Sequence, residues 1–383
     1  MKRGHNLNES SRLGGGRPLP GGAQSGPAGA SDASRKRAAI ASLQAGFRRQ
    51  NLILVALLFL TAALAPALPF VEDWMSLQAS LVIIYILAAQ GVSILTGQTG
   101  LVTVGHGGFL AIGAYTSALL AKYFAVDLSL SIVAGAVMAG LIGCLLGLIF
   151  LRLAGAFMAI GTLGFAFFIG TIVNNVPIFE GRDGIQMPHS RIFGMLLGDT
   201  GFYYVALAVL ALTTAFVYIL LRSPVGRAFR ALRDSEKAAE SSGVNRLFYR
   251  TLAFTTSAAL TGIAGVLNAN ITGYVSAETY GDIWYSVDFL VATVVGGSSA
   301  LMGPFVGGAF IVMVPFYLEQ LADFAFILKG VVLILVLQFA PAGVCDVIAK
   351  PFRDLRRKQL QRIQDDVEKT SPPALAALFS RGR

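Results

Sequence analysis

A polar stretch, residues 223–243, separates two long apolar regions of the sequence. Within it, three arginines recur at helical spacing, namely Arg227, Arg230 and Arg233. An apolar stripe adjoins them on the same predicted helix and consists of Val225, Phe229 and Leu232. A helix with one cationic and one apolar face can lie in a groove of another protein. It can also rest on anionic lipid head groups. The stretch is therefore either a docking element for a soluble partner or an interfacial helix.

The same stretch carries signals for two helix starts and one helix end. Ser223 can cap a helix, and Pro224 suits the first helical position. Ser235, which follows Asp234, offers a second cap, and Gly243 suits a helix end. We therefore predict two short helices between residues 223 and 243.

The residue patterns needed for hydrolysis are missing from the sequence. No lysine follows a glycine, so the G-K-[ST] end of a nucleotide-binding P-loop is absent. The three histidines form no ligand cluster, and neither H-E-x-x-H nor G-x-S-x-G occurs. We therefore expect a chain that is not an enzyme, with no catalytic residue, no metal and no cofactor of its own.

The energy source of any transport is constrained by where the carboxylates lie. They fall at or between the ends of the apolar runs. A proton- or sodium-driven carrier usually places an ionisable group deep in the bilayer. Energy must then come from a partner, or the protein is a passive channel.

Composition predicts an all-α, polytopic helical membrane protein. The chain has 383 residues, of which 55% are hydrophobic and 13% charged, whereas a soluble protein carries about 25% charged residues.

Of the 30 lysines and arginines, 25 lie in residues 1–50, 222–250 and 341–383. Positively charged flanks stay in the cytoplasm, so we expect a multi-pass protein of the inner (plasma) membrane with both termini cytoplasmic. Contact with the anionic head groups of the lipid bilayer explains the net positive charge, so no nucleic-acid partner is expected.

The apolar runs predict about eight to ten spans. The candidates are residues 51–70, 77–96, 101–121, 129–151, 154–175, 202–221, 251–272, 287–315 and 326–340. Gly296-Gly297-Ser298-Ser299 and Gly303-Pro304 interrupt the run 287–315. That run therefore forms either two short crossings or a re-entrant hairpin. The predicted domains are a disordered basic tail at 1–50, a transmembrane domain at 51–345 that contains the cytoplasmic loop 222–250, and a charged tail at 346–383.

Two Gly-rich, uncharged segments, 97–108 and 296–304, lie at comparable points of the two halves. Unwound backbone persists inside a membrane where it is buried in protein or lines a cavity. Backbone N–H groups at short helix starts would there favour a carboxylate. The predicted translocation pathway consists of Gly97, Gln98, Thr99, Gly100, His106, Gly296, Gly297, Ser298 and Ser299. The alternatives are close helix packing for the glycines and a structural role for the histidine.

Several motifs resemble known transport proteins. Ala238-Ala239-Glu240-Ser241-Ser242-Gly243 resembles the coupling loop of ABC importer permeases. Residues 97–115, 152–165, 174–175 and 296–304 resemble the ordered motifs of the branched-chain amino acid permeases, M-type subunit. The resemblance covers about residues 50–345. Thr103, Gly107 and Gly108 stand where serine and alanine are commoner in that family, which leaves the exact substrate open.

The resemblance implies a permease subunit of an ATP-driven ABC importer for branched-chain, hydrophobic amino acids. Its implied partners are two ABC ATP-binding subunits, which use the ATP, a homologous permease subunit of the H type, and a periplasmic or extracellular binding protein. The implied coupling residues are Arg227, Arg230, Arg233, Ala239, Glu240 and Gly243. The alternatives are an ABC permease for urea, short amides or another small carboxylate, a passive solute channel, and a membrane scaffold.

Overall fold

The structure is a computed structural model that describes residues 59–64, 73–150, 155–188, 190–192, 194–298 and 300–317, together with a few isolated positions. The predicted tails at 1–50 and 346–383 lie outside the described residues, as does most of the predicted span 326–340. Among the site residues, Ser299 lies outside them too.

Helices make up almost all of the described chain. They are α1 (Asp73–Val92), which continues as a π-helix (Ser93–Gln98), α2 (His106–Phe124), α3 (Leu128–Ile149), α4 (Ala156–Asn175), α5 (Asp199–Arg222), α6 (Pro224–Asp234), α7 (Glu236–Ser241), α8 (Arg246–Thr272), α9 (Ala277–Tyr280), α10 (Trp284–Gly296) and α11 (Gly303–Tyr317). A short 3-10 helix, Pro177–Phe179, follows α4. The predicted all-α fold is confirmed.

The described strands are two residues long and lie between the helices. Strand β1 (Ile185–Gln186) pairs antiparallel with β4 (Tyr274–Val275), and Ile185 is opposite Val275. Strand β2 (Arg191–Ile192) pairs antiparallel with β3 (Met195–Leu196). These ribbons tie down the loops at one end of the helix bundle.

Five described helices are long and apolar enough to cross a membrane: Trp74–Gln98, Leu128–Ile149, Ala156–Asn175, Asp199–Arg222 and Arg246–Thr272. A hydrocarbon core about 30 Å thick needs roughly 20 helical residues. The prediction of a polytopic membrane protein is therefore confirmed.

Helix α8 lies at the centre of the bundle and packs against α1, α2 and α3. Helices in lipid gain no hydrophobic driving force from association, so they depend on close van der Waals packing at small residues. A Cβ atom on Gly113 of α2 would meet the carbonyl group of Gly262 of α8. A Cβ atom on Gly262 would in turn lie 2.5 Å from the Cβ of Ala139 on α3. Glycine at both positions lets three helices approach closely.

The interrupted run 287–315 forms a hairpin of two short helices. Helix α10 has 13 residues and α11 has 15, so each is only about 20 to 23 Å long. At the outer ends, Asn268 near the end of α8 donates a hydrogen bond to Tyr285 of α10 (3.3 Å), and Phe316 stacks on Trp74 at the start of α1 (5.5 Å).

Helices α1 and α8 run antiparallel, because Ser257 of α8 donates a hydrogen bond to the Gly91 carbonyl of α1, and the later Leu95 of α1 shares a hydrophobic cluster with the earlier Phe254 of α8. The start of α1 and the end of α8 therefore lie at the same end of the bundle. Both outer ends of the α10–α11 hairpin lie there too. Two short crossings and a re-entrant hairpin would both place these ends on one side of a membrane, so the number of crossings stays a prediction.

The other Gly-rich segment is also broken. The π-helix ends at Gln98, the backbone from Thr99 to Gly105 is irregular, and α2 begins at His106. Gly100 has a φ of +74°, a conformation that glycine adopts without steric cost. In the predicted span 101–121, the helix therefore begins at His106, five residues later than the sequence suggests.

Replacement of Gly113 by alanine should destabilise the bundle by about 1–3 kcal/mol, because the new methyl group meets the Gly262 carbonyl and overpacks the α2–α8 contact. Gly164 of α4 is the matched control, since a Cβ there has nothing within 4 Å. Gly164→Ala should instead keep or raise stability by up to about 1 kcal/mol through helix propensity. Thermal unfolding of the detergent-purified variants measures both, and equal midpoints would contradict the packing account.

Candidate functional site

The two helices predicted within 223–243 are present. The Ser223 hydroxyl accepts a hydrogen bond from the Val225 N–H (3.1 Å) at the start of α6, with Pro224 as the first helical residue. The Ser235 hydroxyl accepts from the Ala238 N–H (3.4 Å) at the start of α7. Gly243 follows α7 with a φ of +85°. The predicted caps are confirmed.

The apolar stripe of α6 packs on the chain's own helix bundle. Phe229 is 0% exposed, and Ala228 and Leu232 are buried beside it. The Phe229 ring meets the Tyr249 ring of α8 edge to face, with centroids 6.4 Å apart. Burial of a phenylalanine side chain contributes about 1.5–3 kcal/mol. The stripe that suggested a partner groove or a lipid surface is therefore covered by α8 and its neighbours.

The three arginines of α6 have different surroundings. All three are exposed, and Arg227 and Arg230 form no ion pair within the part of the chain that the structure describes. The Arg233 guanidinium, in contrast, donates a hydrogen bond from Nη1 to the carbonyl oxygen of Gly97. A Cβ atom on Gly100 would lie 3.1 Å from Cγ of Arg233. Helix α6 therefore contacts the broken segment directly.

Helix α7 is tied to the start of α8 by ion pairs. Glu236 pairs with Arg246 (3.3 Å) and with Arg250. Glu240 lies 3.9 Å from Arg246, and Ala239 is 4% exposed. Two of the predicted coupling residues, Ala239 and Glu240, thus contact their own chain in this conformation.

Sequence reasoning missed Glu236, Arg246 and Arg250. A signal for them exists, because Glu236 and Glu240 are one helical turn apart, as are Arg246 and Arg250. Residues spaced by four lie on one face of a helix. Two such faces of opposite charge, joined by a short turn, favour mutual pairing.

The two Gly-rich segments meet in space. A Cβ atom on Gly97 would collide with the carbonyl group of Ser298, and the Ser93 hydroxyl donates to that carbonyl (3.0 Å). Gly343 approaches Gly297 so closely that a Cβ would collide with it. The structure therefore brings together Gly97 and Ser298 from two segments about 200 residues apart, at the end of the bundle where α6 lies.

Gln98 and Thr99 are buried next to this contact, at 5% and 4% exposure. The Thr99 hydroxyl donates to the Leu95 carbonyl (2.7 Å). Buried polar groups at this position are consistent with either a closed pathway or a packed junction. Their role in translocation stays a prediction.

His106 lies apart from that junction and is 1% exposed. Its Nε2 is 2.7 Å from the hydroxyl of Ser257 on α8. Since Ser257 donates its own hydrogen to the Gly91 carbonyl (2.6 Å), Nε2 must carry the hydrogen, and Nδ1 accepts from the Thr103 hydroxyl (3.4 Å). The histidine joins α1, α2 and α8 in this conformation. A pathway role for it stays a prediction.

The start of α2 offers fewer free donors than its sequence suggests. The Gly107 N–H donates to the Ser286 hydroxyl of α10 (2.8 Å). This group is therefore engaged with protein, and a substrate carboxylate would have to displace the serine. The α2–α10 contact also ties the α10–α11 hairpin to the second half of the broken segment.

Comparison with known proteins gives a consistent set of relatives. A family model described as branched-chain amino acid transport system, permease component, matches residues 75–337. The chain is 33% identical over 323 residues to the high-affinity branched-chain amino acid transport system permease protein LivM of Escherichia coli (strain K12). The matched region covers 77% of this chain and 75% of that protein. No solved structure matches the chain.

Two further relatives extend the similarity. The LivM permease protein of Salmonella typhimurium (strain LT2) is 32% identical over 323 residues, with the same coverage of 77% and 75%. A probable branched-chain amino acid transport permease protein LivH of Methanocaldococcus jannaschii is 25% identical over 289 residues, which covers 70% of this chain and 91% of that protein. The chain is thus similar to both kinds of permease protein, and more so to LivM.

Glu236→Gln should loosen α7, because the change leaves Arg250, 4% exposed, without its counter-charge. We expect tryptic cleavage after Lys237 to become several-fold faster in the purified protein. Glu240→Gln is the matched control and should have a smaller effect, since its contact with Arg246 is longer, at 3.9 Å. Equal cleavage rates in the two variants would show that the Glu236 pairs do not hold the helix.

Proposed function

Because the chain belongs to the branched-chain amino acid transport system permease family, we propose that it is the membrane permease subunit of an ATP-driven importer for branched-chain amino acids. The family match over residues 75–337 and the LivM and LivH relatives support this substrate class. The chain itself transports and does not hydrolyse ATP. Its place is the inner membrane, with the basic segments in the cytoplasm.

The proposed complex contains two ATP-binding subunits, a second permease subunit of the H type and a binding protein on the outer side. Helices α6 and α7 face the ATP-binding subunits, and Arg227 and Arg230 provide the docking charges. Both arginines are exposed and unpaired within the described part of the chain. The similarity to LivH as well as LivM supports a pairing of two related permease chains.

One observation carries the coupling mechanism, the hydrogen bond from Arg233 to the Gly97 carbonyl. When the ATP-binding subunits close on ATP, they pull on α6, and the buried Phe229 transmits that force to the helices it packs against. Arg233 then displaces the break at 97–100, and the Gly97–Ser298 contact transmits that displacement to the tip of the α10–α11 hairpin. Both breaks shift together, and the pathway changes from outward to inward opening.

Charge reversal of the two exposed arginines, Arg227→Glu with Arg230→Glu, should weaken docking of the ATP-binding subunits. Their co-purification with the permease should fall at least tenfold, while the amount of inserted permease stays unchanged. Arg222→Glu is the control, because its guanidinium lies over the Tyr218 ring (3.9 Å) on α5 and not on α6. Normal co-purification of the double variant would remove these residues from the docking surface.

Uptake by proteoliposomes that contain the purified complex tests the substrate class. We expect ATP-dependent uptake of leucine that unlabelled isoleucine and valine inhibit and that urea and acetamide leave unchanged. Competition by urea instead would favour the amide permease. Uptake without ATP would favour the passive channel, and no uptake of any of these solutes would contradict a transport role.

A further inference from the structure

A pocket of about 560 Å³ opens at the end of the bundle away from α6. Its walls come from the last turns of α4, the turn that follows them, and α9. Met158 of α4 packs in the same cluster as Phe229, and Asn174 lies sixteen residues further, about 24 Å along the helix axis. The pocket therefore lies on the outer side when α6 faces the cytoplasm.

The pocket walls are held together by close backbone contacts. The Ala277 N–H at the start of α9 donates to the Gly181 carbonyl (3.1 Å). A Cβ on Gly170 of α4 would lie 2.8 Å from the Gly281 carbonyl oxygen. The turn, α9 and α4 thus form one built unit with little room for local rearrangement.

Two opposite charges line this pocket. Arg182 and Glu278 each follow a member of the hydrogen-bonded pair Gly181 and Ala277, and both residues line the cavity. Neither has an ion-pair partner among the residues that the structure describes. A guanidinium binds a carboxylate in a fork of two hydrogen bonds, and a carboxylate binds an ammonium group. Arg182 and Glu278 therefore match the carboxylate and the ammonium group of a free amino acid.

The remaining lining suits the same ligand. Asn174 and Asn175 contribute amides, and Phe167 contributes an apolar ring. Ligand sites for small molecules have volumes of roughly 300–1,000 Å³, and the volume of about 560 Å³ accommodates one amino acid with some water. Both charged side chains are exposed, so solvent screens them and binding is expected in the millimolar range.

We propose that this outer pocket is a loading site, which holds a zwitterionic amino acid through Arg182 and Glu278 before the amino acid enters the pathway. The proposal rests on the proposed function, since it assigns an amino acid as the cargo. Weak binding suits such a site, because the ligand must leave it within each transport cycle. Neither residue was among the site residues predicted from the sequence.

The test measures direct binding to the purified transporter complex, without binding protein and without nucleotide. Saturation-transfer NMR compares three probes: leucine, leucinamide, which lacks the carboxylate, and 4-methylpentanoate, which lacks the ammonium group. We expect leucine to bind at least fivefold more tightly than either analogue. Arg182→Gln should remove the preference for leucine over leucinamide, and Glu278→Gln the preference for leucine over 4-methylpentanoate.

Matched variants separate charge recognition from damage to the fold. Arg182→Lys keeps the charge and should retain most of the leucine binding. Arg191→Gln and Asp183→Asn remove exposed charges that do not line the pocket and should bind like the unaltered protein. Equal binding of the three probes, no leucine binding by the unaltered complex, or unaltered binding by Arg182→Gln and Glu278→Gln would each overturn the loading site.

Uptake with binding protein and ATP distinguishes the failure of this proposal from that of the proposed function. Normal leucine uptake by the unaltered complex, combined with full binding and full uptake by both pocket variants, would overturn the loading site and leave the importer intact. Absence of leucine uptake by the unaltered complex would contradict the importer itself. A lower initial uptake rate in both variants, together with their weaker binding, is the expected result.

Discussion

The unpaired backbone of a broken helix is the constraint on which this structure depends. A buried carbonyl or N–H group that has no hydrogen-bond partner costs about 1–3 kcal/mol. The helix that starts at Asp73 ends at Gln98, and its last turns leave carbonyl groups without helical partners. Arg233 of α6 satisfies one of them, the carbonyl of Gly97. The conformation of the break therefore depends on where α6 lies, and the position of α6 depends on whatever binds its outer face.

Two sets of contacts determine which helices respond when α6 and α7 move. Phe229 fixes α6 in the cluster of α8 and the π-helix, while Glu236 fixes α7 to the first turns of α8 through Arg246 and Arg250. A force on the loop consequently acts on α8, which is the central helix of the bundle, and on the break at 97–100. The contact of Gly97 with Ser298 joins the α10–α11 hairpin to that break, so a displacement of the break also acts on the hairpin.

Local signals in the sequence predicted the features that local chemistry determines. Ser223, Pro224 and Ser235 act on their own next few residues, so both short helices were predictable. Glycine runs weaken a helix wherever they occur, so both breaks were predictable as well. The family was predictable because several motifs in the sequence resemble it in order, and the family match over residues 75–337 and the similarity to LivM confirm that prediction.

Features set by tertiary contacts were not predictable in the same way. Arg227, Arg230 and Arg233 share one spacing, and nothing in that spacing shows that Arg233 reaches a carbonyl 136 positions earlier in the chain. Amphipathicity predicted that α6 buries a stripe, but the pattern does not identify the covering surface, which is the chain's own bundle. His106 is a polar residue at the end of a Gly-rich segment, which suggests a pathway role. Only the positions of Ser257 and Gly91 in the fold show that its side chain takes part in a hydrogen-bond network within the protein.

Coupling between ATP hydrolysis and solute movement tests the central claim most directly. Arg233→Met keeps the side-chain length and removes the donor to the Gly97 carbonyl, and Arg222→Met is the matched variant at an exposed arginine outside α6. Reconstituted complexes give both rates, ATP hydrolysed and leucine transported. The account predicts that Arg233→Met hydrolyses ATP at a normal rate but transports at least tenfold less leucine per ATP, whereas Arg222→Met keeps the normal ratio. An unchanged ratio in Arg233→Met would contradict it.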